Sequence, residues 1–423
     1  MTRHESPFRF STRWGFSNVF LAATILTLSG CGIIANGATA LVWANHPSIA
    51  LYAERFNADQ SDYRVHVLFR DEPQLEMDSP PVDIIVAEGL ASRSTIEKFA
   101  SLDHLFETDL SVAAFYPDLL DLGKKDERQL VLPLSFSLPA LLFRTDLSGE
   151  FVDRYLATLE EVEAICREFT DVGEVVDKMG LSLRWDPDLL YTVSILLNAG
   201  FHETSEGHPV WFDREIRNAL DYIRTWSVEV NGGLHVEDQF RESYMYDPMY
   251  KLLNQRRILF AYTDLRRYLD IPAEIRENFD FRWIAGNGTV PVADDIVYVG
   301  RLRQSKNKKA AEAFISWLFN PGVQKKLLEI SQFFRMRSFG IAGGLSSQKI
   351  VNEISLPQFF PVLVGRIPPA SYLSFPPSVP VDWQRIREEV VEPWLVEESA
   401  RLEPAVPLSD LLLQWRMQQP SLP

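Results

Sequence analysis

The amino-acid sequence predicts an α/β fold arranged in two lobes, and two observations support this prediction. Near the start of the chain, residues 40–43, 65–69 and 82–86 have strand-like patterns, whereas residues 47–56 and 92–99 have helical spacing. Strands that alternate with helices favour right-handed βαβ units and a mainly parallel sheet. The chain also has 423 residues, which is more than one compact core usually holds.

The start of the chain has the layout of an export signal. Three arginines come first: Arg3, Arg9 and Arg13. The uncharged apolar run 19–28 follows, and small residues then lead into Cys31. The sequence Leu-Ser-Gly-Cys resembles a bacterial lipobox, in which the cysteine is lipidated and becomes the mature N-terminus. The alternative is an uncleaved anchor, but the apolar run is short for a bilayer span. We therefore expect residues 1–30 to be a lipoprotein signal peptide and residues 31–39 a tether.

Charge and cysteine content limit the function classes. The formal net charge is −16 for the whole chain and −18 without residues 1–30. Such an acidic protein is not expected to bind nucleic acid or polyanions. Beyond Cys31 the only cysteine is Cys166, which we interpret as a core thiol, so no disulfide framework is expected despite the export signal.

Later segments also carry helix and strand patterns. Residues 150–285 look mostly helical, and Asp213 is the candidate N-cap of the clearest helix. The expected elements are a helix over 213–230, a strand over 290–299, a helix over 308–319, a further helix ending near 330 and an extended, proline-rich crossing over 357–380.

Four motifs in order carry a family resemblance. At residues 299–318 a strand is followed by Ser-Lys-Asn and by a helix with the pattern Ala-Ala-x-x-Phe-Ile-x-Trp-Leu. This block resembles the late motif of bacterial extracellular solute-binding protein family 1, the maltose-binding-protein-like, sugar-type substrate-binding lipoproteins of ABC importers. Residues 43–57 resemble the family's first strand and helix, residues 131–137 its Leu-Pro strand, and residues 196–200 its Asn-Ala-Gly turn. The likeness runs from about residue 39 to the end of the chain.

Two stretches depart from the family pattern. The family has Tyr-Asn-Lys-Asp after the Leu-Pro strand, where this chain has Phe-Arg-Thr-Asp at residues 143–146. A Met-x-x-x-Gly-x-Trp loop that often touches ligand in the family corresponds to residues 259–267, which contain neither glycine nor tryptophan. The departures leave the ligand's identity open.

The resemblance implies a periplasmic-binding-protein type II-like fold, with two α/β lobes joined by a hinge around a central cleft. The expected lobes comprise residues 40–141 with 287–340, and residues 142–286 with 341–423, so the chain crosses near 142, near 286 and again near 340–350. Ligand would bind in the cleft, and the lobes would close by hinge motion. The implied protein is a monomer without enzymatic activity or cofactor, anchored to the cell envelope through a lipid on Cys31. It would capture a sugar or related polyol for an ABC transporter permease.

Candidate ligand contacts are polar or aromatic side chains at predicted strand ends or at a helix start. A sugar has an apolar face, which suits an aromatic ring, and a rim of hydroxyls, which suits amides and carboxylates. The candidates are Trp43, Asn45, His46, Glu88, Ser135, Phe136, Ser137, Trp185, Tyr262, Asp264 and Asp294. Of these, Trp185, Tyr262 and Asp264 are supported by their positions in the family pattern.

Several candidates have a competing structural interpretation. Trp43 is equally well explained as a core tryptophan, and Glu88 as a solvated turn residue. The pair Asp294-Asp295 suits hydroxyls, a cation, or simple exposure to solvent.

Other function classes find less support in the sequence. The seven histidines show no metal-ligand spacing, and no nucleophile elbow or phosphate-binding glycine motif is present. We therefore expect no metal site and no catalytic residues. Two alternatives remain open: an interaction protein that kept the fold, or a receptor for a peptide, polyamine or glycerol phosphoester. Asp294-Asp295 would suit a cation such as a polyamine, and Arg266 and Arg267 would suit the phosphate of a glycerol phosphoester.

Overall fold

The fold is taken from a computed structural model that describes residues 38–77, 82–147, 155–171, 173, 176–334, 336, 338–401 and 406–419. The expected signal peptide, Cys31 and most of the tether lie outside this part of the chain. Ala38 and Thr39, which the sequence suggested were tether, already belong to the first strand.

The strands of the described residues are β1 (Ala38–Ala44), β2 (Tyr63–Phe69), β3 (Ile84–Ala87), β4 (Lys124–Lys125), β5 (Arg128–Gln129), β6 (Leu132–Phe136), β7 (Ala140–Arg144), β8 (Leu156–Thr158), β9 (His202–Glu203), β10 (Pro209–Val210), β11 (Phe260–Thr263), β12 (Phe279–Ala285), β13 (Val290–Pro291), β14 (Val297–Arg301), β15 (Leu345–Ser346) and β16 (Leu373–Ser374). Most belong to one six-stranded and one four-stranded sheet.

The helices of the same residues are α1 (Ser48–Asp59), α2 (Leu105–Thr108), α3 (Pro117–Asp121), α4 (Leu159–Phe169), α5 (Pro187–Leu196), α6 (Asp213–Glu229), α7 (Leu234–Tyr244), α8 (Met249–Asn254), α9 (Leu265–Asp270), α10 (Ala273–Arg276), α11 (Lys308–Leu318), α12 (Pro321–Phe333), α13 (Leu356–Phe359), α14 (Trp383–Ile386), α15 (Glu392–Ser399) and α16 (Leu408–Gln418). Short 3-10 turns lie at Ile96–Lys98, Val112–Ala114, Pro361–Leu363 and Ala370–Tyr372, and π-helical turns at Val351–Ser355 and Arg387–Val391.

The larger sheet has the strand order β15-β6-β14-β3-β1-β2. The pairs β1–β2 and β1–β3 are parallel, whereas β14 runs antiparallel to β3 and β6, and β15 runs antiparallel to β6. The expectation of a mainly parallel sheet is therefore wrong. The reason is the connectivity: β6 leads directly into the second sheet and β14 returns directly from it, so neither needs the long crossover that parallel neighbours require.

The smaller sheet has the strand order β11-β7-β12-β8, and three of its strands, β8, β11 and β12, lie within the segment 150–285 that was expected to be mostly helical. Alternate residues of β7 face opposite sides: Ala140 and Leu142 join the larger hydrophobic core, whereas Leu141 and Phe143 join the second core. The central strand β12 is buried along almost its whole length, and its two charged residues, Asp280 and Arg282, pair with each other at 2.8 Å.

The chain passes between the sheets where polar residues interrupt the strands. The first crossing is residues 137–139, between β6 and β7, and the second is residues 286–296, between β12 and β14. Strand β15 still pairs with β6, and Leu373 still packs in the larger core, whereas Trp383 packs in the second. The chain thus passes from the larger core to the second core at residues 373–383, which we call the third crossing. The lobe boundary expected near 340–350 stays a prediction.

Other expected elements fare unevenly. The helices over 308–319 and to about 330 are confirmed as α11 and α12. The helix expected over 92–99 is only a 3-10 turn. Asp213 is the first residue of α6 and accepts a hydrogen bond from the indole of Trp211 instead of capping the helix. The stretch 357–380 contains short helical turns rather than one extended crossing.

The Ser-Lys-Asn motif at residues 305–307 is held in place by Asp83, a buried carboxylate just before β3. One oxygen of Asp83 accepts hydrogen bonds from the hydroxyl of Ser305 (2.6 Å) and the backbone N–H of Asn307 (3.2 Å). The other accepts from the backbone N–H of Leu41 (2.9 Å) and the amide of Asn307 (3.0 Å). The Ser-Lys-Asn motif therefore fastens the start of α11 to the strands β1 and β3.

The aromatic residues of the late motif fix α11 against α1. Phe314 and Trp317 both pack on the ring of Phe56, edge to face, with centroid distances of 5.3 and 5.6 Å. Such pairs add stability beyond the area they bury.

No helix among the described residues is long and apolar enough to cross a membrane.

We expect Asp83→Ala to lower the free energy of unfolding by about 3 kcal/mol, because it leaves four buried donors without their acceptor. Urea unfolding of the two proteins at pH 7 measures the loss. Asp62→Ala is the matched control, because Asp62 is exposed and its removal should change stability by less than about 0.5 kcal/mol. Equal stability of the Asp83 variant and the wild type would show that the carboxylate does not hold the motif in place.

Candidate ligand-binding site

A cavity of about 580 Å³ lies where the crossing segments meet. One side is formed by Glu88 at the end of β3 and by residues of the crossings 137–139, 291–295 and 374–379. The other side comes from α5, β11, α9 and the segment after Trp383. The volume falls in the range of about 300–1,000 Å³ typical of small-molecule sites.

The cavity wall combines aromatic rings with many charged groups. Its aromatic residues are Tyr191, Phe201, Phe212, Tyr262 and Phe375. Its acidic residues are Glu88, Asp188, Asp264, Asp270, Asp294, Asp295 and Glu388, and its basic residues are Arg266, Arg267 and Arg387. Seven acids against three arginines leave the wall with an excess of negative charge. Because charges interact strongly where water is scarce, the partners of each group decide what the cavity can bind.

Asp294 holds three parts of the wall together. One carboxylate oxygen accepts hydrogen bonds from the hydroxyl of Tyr191 and the indole N–H of Trp383, both at 2.6 Å. The other accepts from the guanidinium of Arg387 at 2.6 Å. The side chain is only 4% exposed, and its oxygens are occupied, so Asp294 is a structural anchor of the second crossing rather than a free ligand contact.

Arg387 is held by three carboxylates and an aromatic ring. Its guanidinium pairs with Asp294, with Asp188 at 2.7 Å and with Glu392 at 2.7 Å, and it lies 4.8 Å from the ring centre of Tyr191. Burial opposes its charge, but Asp294 and the other carboxylates outweigh burial and raise the pKa of Arg387. The arginine is therefore a fixed cation whose donors are committed to protein acceptors.

The two arginines of α9 are also paired. Arg266 bonds to Asp295 at 2.6 Å and lies 3.7 Å from Asp264. Arg267 bonds to Asp186 at 3.0 Å and to Asp188, and it lies 5.1 Å from the ring centre of Tyr262. The loop that was expected to supply ligand contacts thus builds a network of ion pairs across the cavity wall.

Among the half-buried acids of the wall, Glu88 is the one to which no described residue donates a hydrogen bond. Burial, together with the nearby carboxylate of Asp295, raises the pKa of Glu88 to about 8, and Asp294 acts in the same direction. Arg266 and Arg387 only partly offset this effect. At neutral pH the empty cavity therefore favours the protonated acid.

A polar contact closes one flank of the cavity. The buried carboxylate of Glu203, on β9, accepts hydrogen bonds from the hydroxyl of Ser92 (2.9 Å) and the backbone N–H of Arg93 (2.8 Å), and also from Ser378 of the third crossing. Residues near this contact, including Gly200 and Pro377, line the cavity. The segment after α5 therefore meets the loop after β3 directly.

The comparisons with known proteins agree on the fold. A sugar-binding protein, MalE, from Xanthomonas citri has a similar structure with a TM-score of 0.63, 16% identity, and coverage of 90% of this chain and 100% of its own. An ABC substrate-binding protein from Listeria monocytogenes, in complex with cycloalternan, has a TM-score of 0.60 and 15% identity, with coverage of 90% of this chain and 98% of its own. The GacH receptor of Streptomyces glaucescens, studied with acarbose, has a TM-score of 0.60 and 14% identity, with coverage of 90% of this chain and 98% of its own.

This chain has the periplasmic-binding-protein type II fold. The predicted fold class is thereby confirmed. No protein-family model and no curated sequence matches the chain, so the likeness is one of structure. Within the described residues no cluster of His, Cys, Asp and Glu has the arrangement of a metal site.

The structure brings five of the predicted contacts to the cavity: Glu88, Ser137, Tyr262, Asp264 and Asp294. Asp264 also caps α9, because its carboxylate accepts a hydrogen bond from the backbone N–H of Arg267 at 2.9 Å. Polar residues placed directly after a strand were the useful signal, since strand ends meet at the crossings.

The two tryptophans expected as platforms do not line the cavity. The indole of Trp43 is 3% exposed and lies under the guanidinium of Arg70, 5.2 Å from its ring centre. Trp185 stacks on Phe240 with a centroid distance of 5.2 Å and an angle of 16° between the rings. Both rings therefore pack against protein, as in the competing interpretation of Trp43.

The other four candidates also lie outside the cavity. Asn45 is half-buried at the end of β1. His46 packs against Gly343, and burial, with a smaller contribution from Arg266, lowers its pKa to about 4. The hydroxyl of Ser135 donates to the backbone carbonyl of Ala342 at 3.3 Å. The neighbouring ring of Phe136 is buried edge-on against Tyr116, with a centroid distance of 5.4 Å, so only Ser137 of this strand end reaches the cavity.

Sequence reasoning did not select Asp188, Tyr191 or Arg387, which together form much of the far wall. Asp188 and Tyr191 lie in the first turns of α5, and Arg387 lies in a polar stretch near the end of the chain. Only their long-range contacts distinguish these residues from ordinary surface positions, and the sequence alone carries no signal of those contacts.

The raised pKa of Glu88 predicts a pH-dependent stability. Because the folded protein holds this proton up to about pH 8 and the unfolded chain releases it near its ordinary pKa of 4.5, the free energy of unfolding falls as pH rises between those values. We expect Glu88→Gln to remove a fall of about 1–2 kcal/mol between pH 6.5 and 8. Urea unfolding of both proteins at these pH values measures the difference.

The pH range excludes the main opposing group. His46, whose pKa is lowered to about 4, contributes a rise in stability only between about pH 4 and its ordinary value of 6.5. Parallel stability curves for the wild type and Glu88→Gln above pH 6.5 would mean that Glu88 is already ionised in the folded protein.

Proposed function

We propose that this protein is an exported substrate-binding protein of an ABC importer and that it binds a sugar or related polyol in the cavity between its crossing segments. The observation that carries the proposal is the cavity itself: about 580 Å³, flanked by both sheets, with aromatic rings and carboxyl groups on its wall. This combination suits a small hydroxylated solute. The sugar-binding proteins with the same fold support this class of ligand.

Hinge closure and delivery to a permease belong to the same proposal. Segments from both sheets contribute to the cavity wall, so a ligand that touches both sides would favour the closed arrangement of two lobes. The closed form would then be the one presented to the permease. The lobe boundaries that fit this scheme are the three crossings at 137–139, 286–296 and 373–383.

The alternatives are supported less well. A glycerol phosphoester would need free cations, but Arg266, Arg267 and Arg387 are all paired with carboxylates. An interaction protein that only kept the fold would not need a polar cavity of this size. We therefore keep a sugar or polyol as the proposed ligand class.

A thermal-shift screen tests the ligand class directly. The panel would hold glucose, maltose, mannobiose, cellobiose and maltotriose, with spermidine, a tripeptide and glycerol 3-phosphate as non-sugar solutes. A ligand at about 100 times its Kd adds about 2.7 kcal/mol to the free energy of unfolding, which raises the melting temperature by a few degrees. A shift with sugars alone supports the proposal, and a shift only with a non-sugar solute contradicts it.

A matched pair of serine variants locates the binding site. Ser137 faces the cavity, whereas Ser135, two residues earlier, is buried and bonds to Ala342. For the sugar selected in the screen, Ser137→Ala should weaken binding about three- to tenfold, since it removes one hydrogen bond. Ser135→Ala should leave the affinity unchanged while lowering stability by about 1 kcal/mol. Titration calorimetry and urea unfolding measure the two effects, and an unchanged affinity in the Ser137 variant would place the ligand elsewhere.

Anchoring to the cell envelope through Cys31 is the remaining part of the proposal. Expressed in bacteria with a labelled fatty acid, the full-length protein should take up the label and sediment with membranes. Cys31→Ala should lose both properties. Cys166→Ala is the control because Cys166 is the only other cysteine. Label that persists in the Cys31 variant would contradict lipidation at this residue.

A further inference from the structure

The charges on the cavity wall do not balance, and the imbalance has a definite location. Each of the three arginines is already bonded to at least one carboxylate: Arg266 to Asp295, Arg267 to Asp186 and Asp188, and Arg387 to Asp188, Asp294 and Glu392. No arginine on the wall is therefore left to neutralise a further acid. The wall keeps an excess of negative charge that the protein itself does not compensate.

The acid left without an arginine is Glu88, and it lies beside Asp295 at the end of β3. Ala87 of β3 pairs with Tyr298 of β14, so the next residue, Glu88, lies beside the residues that lead into β14. Among those residues is Asp295, whose side chain is 12% exposed. One oxygen of Asp295 bonds to Arg266, but the other is buried and has no hydrogen-bond partner. Glu88 in turn receives no hydrogen bond from the described residues and lines the cavity.

A carboxyl group in the position of Glu88 needs a positive charge or a proton. Buried acids without a partner are costly to ionise, and a cation within about 4–6 Å removes that cost. An anionic ligand would add to the repulsion, and a neutral ligand would leave the excess charge in place. A cation that enters the cavity at Glu88 would satisfy its carboxylate and also lower the electrostatic cost of the unpartnered oxygen of Asp295.

We propose that the solute of this cavity is an amino sugar, a small hydroxylated molecule whose protonated amine bonds to Glu88 in front of Asp295. The inference rests on the proposed function, because it takes the ligand to be a sugar and adds the charged group. The remaining wall suits the rest of such a molecule: the ring of Tyr262 and the hydroxyl of Ser137 face the same cavity. The exposed acids Asp270 and Glu388 also line it and would attract a cation toward it.

Binding of an ammonium group is coupled to the proton on Glu88. The charged groups that face Glu88 are Asp295 and Asp294 on the second crossing, Arg266 on α9, and Arg387 after α14. In the empty cavity they and burial hold the pKa of Glu88 at about 8, and a bound ammonium group lowers it. At pH 6 both Glu88 and the amine of a free amino sugar carry their protons, so uptake of the ammonium form should release the proton of Glu88 to the buffer, whereas uptake of a neutral sugar should not.

The test is titration calorimetry of the purified protein at pH 6 with three β-1,4-linked disaccharides that differ only at carbon 2 of each ring. Chitobiose carries an amine there, cellobiose a hydroxyl, and diacetylchitobiose an acetamide. Glucosamine and glucose provide the monosaccharide pair, and 1,4-diaminobutane provides the amine without a sugar. Measurements in two buffers of different ionisation enthalpy count the protons released. We expect each amine sugar to bind at least tenfold more tightly than its hydroxyl counterpart, with release of a proton.

Variants assign the preference to the two acids. Glu88→Gln should reduce the preference for the amine at least fivefold and abolish proton release, and Asp295→Asn should reduce the preference in the same direction. Glu88→Gln replaces a carboxyl group that is protonated at neutral pH by an amide of nearly the same shape, so it should remain folded. Asp270→Asn is the control: it removes an acid that also lines the cavity but is exposed, and should change the preference less than twofold.

The outcomes separate this inference from the proposed function. If cellobiose or glucose binds as tightly as its amine counterpart, the amino-sugar inference is wrong and sugar binding stands. If 1,4-diaminobutane binds and no sugar does, the cation site is retained but the sugar proposal fails. If a folded sample binds none of these probes and none of the neutral sugars of the screen, both are overturned.

Discussion

The ion pair between Arg387 and Asp294 is the interaction on which the rest of the site depends. Separating two desolvated charges leaves each buried without a partner, which costs several kcal/mol, so their positions are tightly constrained. Asp294 lies on the second crossing, and the pair also involves Tyr191 of α5 and Trp383 after the third crossing. One carboxylate thus sets the distance between the crossings and the helix that faces them, and with it the width of the cavity.

The same constraint divides the acids of the wall into two kinds. Asp188 and Asp294 are committed to fixed arginines and act as structural partners. Glu88 lies in the same field but has no arginine of its own, so its ionisation stays sensitive to whatever enters the cavity. The protein therefore combines a rigid charged frame with one adjustable group, an arrangement that can distinguish ligands by charge rather than by size alone.

Local patterns and long-range contacts differ in how far the sequence predicts them. Helices α11 and α12 were predictable because their apolar spacing and their stop signals lie within the segment. The positions of Glu88 and Ser137 at strand ends were predictable for the same reason. The packing of Trp43 and Trp185 was not predictable, because Arg70 and Phe240, which are distant in sequence, decide where these rings lie.

Residues whose role arises only from distant partners are invisible to such reasoning. Arg387 meets Asp188 across 199 residues of sequence and Asp294 across 93, and nothing near Arg387 indicates either contact. Strand β15 is a similar case, since it is held by pairing with β6 rather than by a strong local pattern.

The loop at residues 259–267 gives the site much of its fixed charge. It carries two consecutive arginines, Arg266 and Arg267, and both are held by carboxylates of the cavity wall, Asp295 and Asp188. Arg267 also lies over Tyr262, so the ring that could have served as an open platform is partly covered by protein. Less stacking surface and more fixed charge together move recognition from the apolar face of a sugar toward its polar substituents. A cavity built in this way favours a ligand that brings the charge the wall lacks, and Glu88 is the group that such a ligand would meet.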